Sequence, residues 1–283
     1  MNGAWDFCIN CHDKEAGICP YFGYLSFVYS LQTSYLCSNS SVVLTSWHNP
    51  SVQHIHIYKM KKILVWLMLV TTGMTAQTTH RLSPTARSLE KRGYVNVQKL
   101  DPSIQVSLMY ARPDNFTGTV LYDDLREAYL HPHAAHALVK AQKRLQQLRP
   151  DLCLKVYDAA RPMAIQQKMW NKVKGTPKYF YVSNPAHGGG LHNYGLAVDL
   201  TLCTLKGDTL DMGTKIDYMG AAAHIDKESQ LVVSRRISKQ AQRHRELLRK
   251  VMRYAGFKPL RTEWWHFNYC SRAQAKKSYR VIR

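Results

Sequence analysis

Residues 192–202 have the sequence His192-Asn193-Tyr194-Gly195-Leu196-Ala197-Val198-Asp199-Leu200-Thr201-Leu202. The part from Leu196 onward is apolar and partly β-branched, which predicts a buried strand. An aspartate inside such a strand is costly to bury unless a partner compensates its charge, and a metal ion is one such partner. Residues seven apart in an unbroken strand face opposite sides. Gly195 permits a bend, so we expect His192, on the preceding loop, to converge with Asp199.

A second segment combines acid-base and metal-ligand chemistry, Glu263-Trp264-Trp265-His266, at the start of an aromatic strand expected over 264–269. Tryptophan rings exclude water, which raises the pKa of a neighbouring carboxylate and makes Glu263 a better general base. With His192 and Asp199, His266 would supply a set of two nitrogen ligands and one oxygen ligand. Such a set leaves a fourth position for water, as in open catalytic zinc sites.

A third segment, Asp158-Ala159-Ala160-Arg161-Pro162, places an arginine at a junction between a strand and a helix. The guanidinium of Arg161 could stabilise the oxyanion of a tetrahedral intermediate. The alternative is that Arg161 is only a structural ion-pair partner of Asp158.

Further elements are expected on both sides of these segments. Apolar patterns predict strands over 104–108 and 152–157 and helices over 134–148, 161–173 and 238–254, with a long polar loop at 206–237. Strands and helices do not alternate in a βαβ rhythm. The sequence therefore predicts an α+β fold, a mainly antiparallel sheet with flanking helices, in a single domain over residues 94–283.

The first part of the chain has a different organisation. Met60-Lys61-Lys62 precedes an apolar run, and small and polar residues follow, as in a secretory signal peptide over 60–76. Residues 1–59 are then a non-native or disordered extension, and 77–93 a linker. The rival is a genuine N-terminal extension with a short buried apolar helix. The signal peptide predicts export to the periplasm or cell envelope, with no stable membrane span after its removal.

The composition of the chain says less about its function than the motifs above. The chain has 283 residues and a formal net charge of +20, which would suit any polyanion. Without a phosphate loop, zinc-finger spacing or repeated basic-aromatic face, we expect no nucleic-acid partner. Cys8-Ile9-Asn10-Cys11-His12 matches a short haem-attachment pattern, read here as chance, and Cys19 could add a thiolate to a metal site. Pairing among Cys153, Cys203 and Cys270 stays open, as does the oligomeric state.

Residues 95–269 resemble the zinc D-Ala-D-Ala dipeptidases, within a wider group of cell-wall D,D-carboxypeptidases and L,D-endopeptidases. Residues 110–118, Tyr-Ala-Arg-Pro-Asp-Asn-Phe-Thr-Gly, match a family segment. The resemblance implies one zinc ion and hydrolysis of the dipeptide D-alanyl-D-alanine. It assigns the site as follows: zinc ligands His192, Asp199 and His266, base Glu263, transition-state arginine Arg161, and Asp217 for the substrate's ammonium group.

One position departs from the family. Relatives often have serine two positions before the first histidine ligand, where this chain has Gly190, so a substrate-side hydrogen bond is in question. His131, His133 and His136 form a competing imidazole cluster, which we interpret as surface histidines at a helix start. His187 and His224 receive no role, and Asn115-Phe116-Thr117, a glycosylation pattern, is expected at the rim of the site.

Rival functions are cleavage of peptidoglycan stem peptides and a non-hydrolytic zinc-binding domain.

Overall fold

The computed structural model describes residues 81–283. The expectations for residues 1–59, for the signal peptide at 60–76 and for the first residues of the linker lie outside this range, as do Cys8, Cys11 and Cys19. Within residues 81–283, none of the helices is both long and apolar enough to cross a membrane.

A five-stranded sheet forms the centre of the domain, and a two-stranded sheet accompanies it. The strands are β1 Val95–Asn96, β2 Gln105–Val106, β3 Tyr129–Leu130, β4 Leu152–Asp158, β5 Ala197–Thr204, β6 Lys258–Leu260 and β7 Glu263–Asn268. The central sheet has the order β2-β4-β5-β7-β6, and only its β2 and β4 pair is parallel. The second sheet pairs β1 with β3. The predicted α+β class with a mainly antiparallel sheet is confirmed.

Helices flank this sheet. They are α1 Pro84–Lys91, α2 Val97–Leu100, α3 Pro132–Leu148, α4 Met163–Val173, α5 Glu228–Val233, α6 Lys239–Tyr254 and α7 Arg272–Ser278. The long helices α3 and α6 pack against each other, α3 contacts β4, and α6 contacts β5 and β6. Leu138 and Leu145 of α3 and Leu248 of α6 are fully buried in the main core, as their three- and four-residue spacing requires.

The segment expected to be a linker as far as residue 93 instead contains α1. Ser83 caps this helix by accepting a hydrogen bond from the amide of Ala86, a common way to satisfy a free N-terminal amide. Ala86 and Leu89 are buried in the main core. The linker interpretation missed α1 because only two apolar side chains on its inner face interrupt a polar sequence.

The region expected to be a polar loop, 206–237, also contains regular structure. It includes the helix α5 and a 3-10 turn at Ala221–Ala223. Glu228 of α5 is buried and forms an ion pair with Arg249 of α6. The polar composition of this region thus reflects buried ionic contacts as well as exposure to solvent. The strand β6 and the helix α7 were not predicted either.

The burial of α1 predicts a clear effect on stability. Leu89→Ala should lower the free energy of unfolding by about 2–4 kcal/mol, since it removes a fully packed leucine side chain from the core. The exposed Lys91→Ala variant of the same helix is the matched control and should change it by less than about 0.5 kcal/mol. Urea unfolding measures both values. Equal, small effects of the two variants would show that α1 is not part of the folded core.

Candidate metal centre and active site

Three acidic and imidazole side chains lie in one row across the sheet. Asp158 of β4 is in register with Asp199 of β5, and Asp199 is in register with His266 of β7. The register shifts between Val156 and Asp158, where β4 has a bulge. Bulges re-aim the side chains that follow them. This one places Asp158, rather than its neighbour, opposite Asp199.

His192 reaches the same row from a loop. It lies in a 3-10 turn, Leu191–Tyr194, which ends at Gly195 in the left-handed conformation with a φ of 66°. A β-carbon at Gly195 would lie 2.5 Å from the ring of Tyr94, so only glycine fits this turn without displacing its neighbour. The bend expected at Gly195 is confirmed, and it directs His192 back over β5.

The nitrogen and oxygen atoms of this group are close enough to share one ion. His192 Nε2 lies 3.1 Å from His266 Nδ1 and 3.3 Å from Asp199 Oδ2, and His266 Nδ1 lies 2.9 Å from Asp199 Oδ1. All three residues are buried, and within residues 81–283 they are the one group of this kind that could hold a metal ion.

The outer nitrogens of both histidines are occupied by hydrogen bonds. His192 Nδ1 donates to the carbonyl oxygen of Ala159 at 2.8 Å, and His266 Nε2 donates to Asn268 Oδ1 at 2.8 Å. In neutral imidazoles these bonds leave the lone pairs of the inner nitrogens directed at each other and at Asp199. Two lone pairs and a carboxylate in a buried space fit a divalent cation.

Asp199 is ionised in this environment. Burial opposes the charge of the carboxylate, but its interactions with His192 and His266 outweigh burial and hold the pKa of Asp199 well below its usual value. The group therefore offers a negatively charged oxygen beside two imidazole nitrogens, a set of atoms that could hold a metal ion.

Glu263 stands next to this group. Its Oε2 lies 3.9 Å from His266 Nδ1, and burial raises the pKa of Glu263 to about 7, a shift that the nearby His266 opposes. The carboxylate therefore takes up and releases a proton near neutrality.

Arg161 forms the ion pair with Asp158 that a structural role for this arginine requires. Its Nε donates to Asp158 Oδ2 at 2.9 Å and its Nη1 donates to Gln166 Oε1 at 2.9 Å. Asp158 also accepts a 2.6 Å hydrogen bond from Tyr122. One nitrogen, Nη2, lies 3.9 Å from Asp199 Oδ2. Arg161 is thus anchored on one side by Asp158 and faces the row of ligands on the other, so both interpretations fit its position.

Asp217 enters the site from the loop after β5. It has a positive φ of 63°, and both of its carboxylate oxygens lie 3.0 Å from the hydroxyl of Tyr110. Burial, followed by the charge of Asp199, raises the pKa of Asp217 to about 7.

All six predicted site residues border one cavity of about 410 Å³. That volume lies in the lower part of the range of small-molecule sites. Phe116 of the expected rim also lines it. Side chains of both charges meet there, since Lys258 and Arg272 line the same cavity as the carboxylates.

Several residues that line or support the site were not assigned a role from the sequence. Asn268 and the carbonyl of Ala159 orient the two histidines, and Tyr110 holds Asp217. The amide of Ile282 donates to the carbonyl of Asn193, and the carbonyl of Ile282 accepts from the amide of Met163. Asn268 could have been found from its position two residues after His266, on the same strand face. The contacts of Ile282 have no local signal.

Ser183 lies next to Gly190, the position at which relatives often have a serine. A β-carbon at Gly190 would lie 3.0 Å from Ser183 Oγ. Ser183 also lines the cavity. A hydroxyl group therefore stands beside position 190, although it comes from another segment of the chain.

The competing histidines do not assemble a site. His131 caps α3 by accepting a hydrogen bond from the amide of His133, and in residues 81–283 these histidines join no group able to hold a metal ion. The interpretation as a helix start is therefore confirmed. His224 contacts Tyr181, a residue of the cavity wall, at 3.4 Å.

Comparison with known proteins agrees with this geometry. The model of a family described as D-Ala-D-Ala dipeptidase matches residues 90–282. A D-alanyl-D-alanine dipeptidase of Escherichia coli (strain K12) is 36% identical over 61% of this chain and 82% of its own length. One from Synechocystis sp. (strain ATCC 27184 / PCC 6803 / Kazusa) is 32% identical over 46% of this chain and 65% of its own.

A third relative covers less. The D-alanyl-D-alanine dipeptidase of Enterococcus faecalis (strain ATCC 700802 / V583) is 34% identical over 27% of this chain and 35% of its own length. The family match begins at the end of α1 and runs to residue 282, so it includes every residue of the candidate metal centre and its cavity. The chain is accordingly a member of the D-Ala-D-Ala dipeptidase family of metallopeptidases.

Proposed function

We propose that this protein hydrolyses free D-alanyl-D-alanine with one zinc ion held by His192, Asp199 and His266. The observation that carries the proposal is the convergence of two imidazole nitrogens and a carboxylate beside Glu263 in a small cavity. Zinc prefers nitrogen and oxygen ligands of this kind, and when bound it polarises the scissile carbonyl and lowers the pKa of water.

Glu263 is the proposed general base. Its carboxylate lies within reach of the ligand group, and its pKa near 7 suits a residue that must accept a proton from water and later return it to the leaving amine. A purely structural metal site needs no such group. This residue therefore argues against the non-hydrolytic binding domain.

Arg161 is the proposed partner of the developing oxyanion. The salt bridge to Asp158 and the hydrogen bond to Gln166 fix its guanidinium, and a preorganised donor costs no rearrangement when charge appears on the substrate. Its structural ion pair and its catalytic role therefore support each other, because Asp158 holds the guanidinium facing the site.

Asp217 is the proposed partner of the substrate's free ammonium group. The hydroxyl of Tyr110 holds its carboxylate at the cavity wall. With a pKa of about 7, the carboxyl group of Asp217 is only partly ionised near neutral pH. The positive charge of a bound ammonium group would stabilise its ionised form. A buried carboxylate in this position favours a dipeptide with a free amine over the blocked end of a peptidoglycan stem peptide.

Ser183 is the proposed source of the substrate-side hydroxyl that position 190 lacks. Its Oγ stands where a side chain at position 190 would reach, and it lines the same cavity. We assign its hydrogen bond to the substrate's carboxylate.

Secretion by the signal peptide at 60–76 and action in the periplasm remain part of the same proposal.

Replacement of Glu263 tests the base. Glu263→Gln should lower kcat by about 100-fold or more, because the amide cannot take a proton from water. Zinc content, measured by mass spectrometry of the metal, should stay at one ion per chain. His192→Ala is the contrasting variant and should lose the ion itself. Unchanged turnover by Glu263→Gln would refute the assigned role.

Replacement of Asp217 tests the choice of substrate. Asp217→Asn should raise KM for D-alanyl-D-alanine about tenfold or more, since it removes a charge-assisted contact worth about 1.5–3 kcal/mol. Its effect on an N-acetylated dipeptide should be small. If the unmodified protein turns over the acetylated dipeptide faster than the free one, the carboxypeptidase or stem-peptide alternative is correct.

Ser183 has a matched pair of variants. Ser183→Ala should raise KM about tenfold with metal content unchanged, because one hydrogen bond to a charged group is lost. Adding Gly190→Ser should restore KM, since Gly190 has an extended backbone that serine adopts freely. If the KM of the double variant is no lower than that of Ser183→Ala, a serine at position 190 does not replace the hydroxyl of Ser183, and the assigned role is contradicted.

A further inference from the structure

Two cysteines face each other across the central strands. Cys153 of β4 is in register with Cys203 of β5, and their Sγ atoms lie 3.3 Å apart. Both side chains are buried. They lie at the opposite end of this strand pair from Asp158 and Asp199, so neither contributes to the metal centre.

We propose that Cys153 and Cys203 are a disulfide-forming pair, which closes to a cross-strand disulfide when the chain folds in an oxidising medium. Directly opposed residues of antiparallel strands have Cα atoms about 4.5–5.5 Å apart, within the range that disulfides span. The remaining gap between the sulfur atoms closes by rotation of the side chains, because the backbone register is already correct. This inference does not depend on the proposed enzymatic function.

The reaction needs an oxidant, and its class is the disulfide of a small thiol. The thiolate of one cysteine attacks that disulfide, releases one small thiol and forms a mixed disulfide. The thiolate of the second cysteine then displaces the other small thiol and forms the Sγ–Sγ bond. Both cysteine protons go to solvent or to the released thiolates.

The environment of the pair indicates when exchange takes place. Burial, with the hydrogen bond to Cys153, raises the pKa of Cys203 to about 12, and thiolates are the reactive species. The folded, reduced pair is therefore inert and shielded from exchange. The bond must form before β4 and β5 close over it, and once formed it is protected from external thiols.

The cross-link would enclose much of the active site. The chain between Cys153 and Cys203 carries Arg161, His192 and Asp199. A cross-link over a loop of this length restricts the unfolded chain. The oxidised protein should therefore melt about 5–10 °C above the reduced protein, a shift typical of a native disulfide in a domain of this size.

Disulfide mapping of the full chain tests the inference directly. The protein is denatured and reduced, then refolded either with reduced and oxidised glutathione or with excess reductant. Free thiols are alkylated in denaturant, and the digest is analysed by mass spectrometry. We expect a linked Cys153–Cys203 peptide only after refolding with glutathione, with Cys270 alkylated as a free thiol.

Variants provide the matched controls. Cys203→Ser should abolish the linked peptide and the rise in melting temperature, whereas Cys270→Ser should retain both. The mapping of the unmodified chain is decisive even if Cys203→Ser fails to fold. Recovery of Cys153 and Cys203 as alkylated free thiols from the folded, glutathione-treated protein would overturn the proposal, and so would pairing of either with Cys8, Cys11, Cys19 or Cys37.

Discussion

The register of the three central strands determines what the rest of the site can do. Asp158, Asp199 and His266 occupy neighbouring strands at one level, so their side chains leave the same face of the sheet. The bulge in β4 brings Asp158 into this row. A slip of one residue in either strand pair would turn these side chains to the other face and abolish the row.

This row concentrates negative charge in a buried space. Asp158, Asp199, Asp217 and Glu263 all lie in or next to one small cavity region. Arg161 compensates Asp158 directly, and Asp199 faces two imidazoles. The pKa values of Asp217 and Glu263 rise to about 7 because burial and the remaining carboxylates disfavour their charged forms. In the proposed function, a cation bound by His192, Asp199 and His266 would offset this negative charge at the metal centre, and the substrate's ammonium group would offset it at Asp217.

Much of the site could be predicted from local sequence patterns. The buried strand around Asp199, the bend at Gly195 and the aromatic strand with His266 each leave a pattern within a few residues. These patterns, with the arginine at the junction after β4, pointed to five of the six residues that the fold brings to one cavity, whereas Asp217 was assigned only through the resemblance to the family. The mainly antiparallel sheet followed from the absence of a regular alternation of strands and helices.

Other features were not predictable in this way because they depend on contacts between distant segments. The helix α1 is buried through only Ala86 and Leu89, too few apolar positions to stand out in a polar stretch. The bulge at Asp158 is visible only once β4 is paired with β5. Ser183 approaches Gly190 through the folding of a loop, and the backbone contacts of Ile282 with Asn193 and Met163 have no signature in side-chain type.

The most direct test of the account is the position of the metal. Crystals of the protein grown with zinc, measured on both sides of the zinc absorption edge, should give one strong anomalous peak. The account predicts that His192 Nε2, His266 Nδ1 and a carboxylate oxygen of Asp199 surround this peak at bonding distance, with Glu263 beside it. A peak held by other residues, or none next to these three, would contradict it.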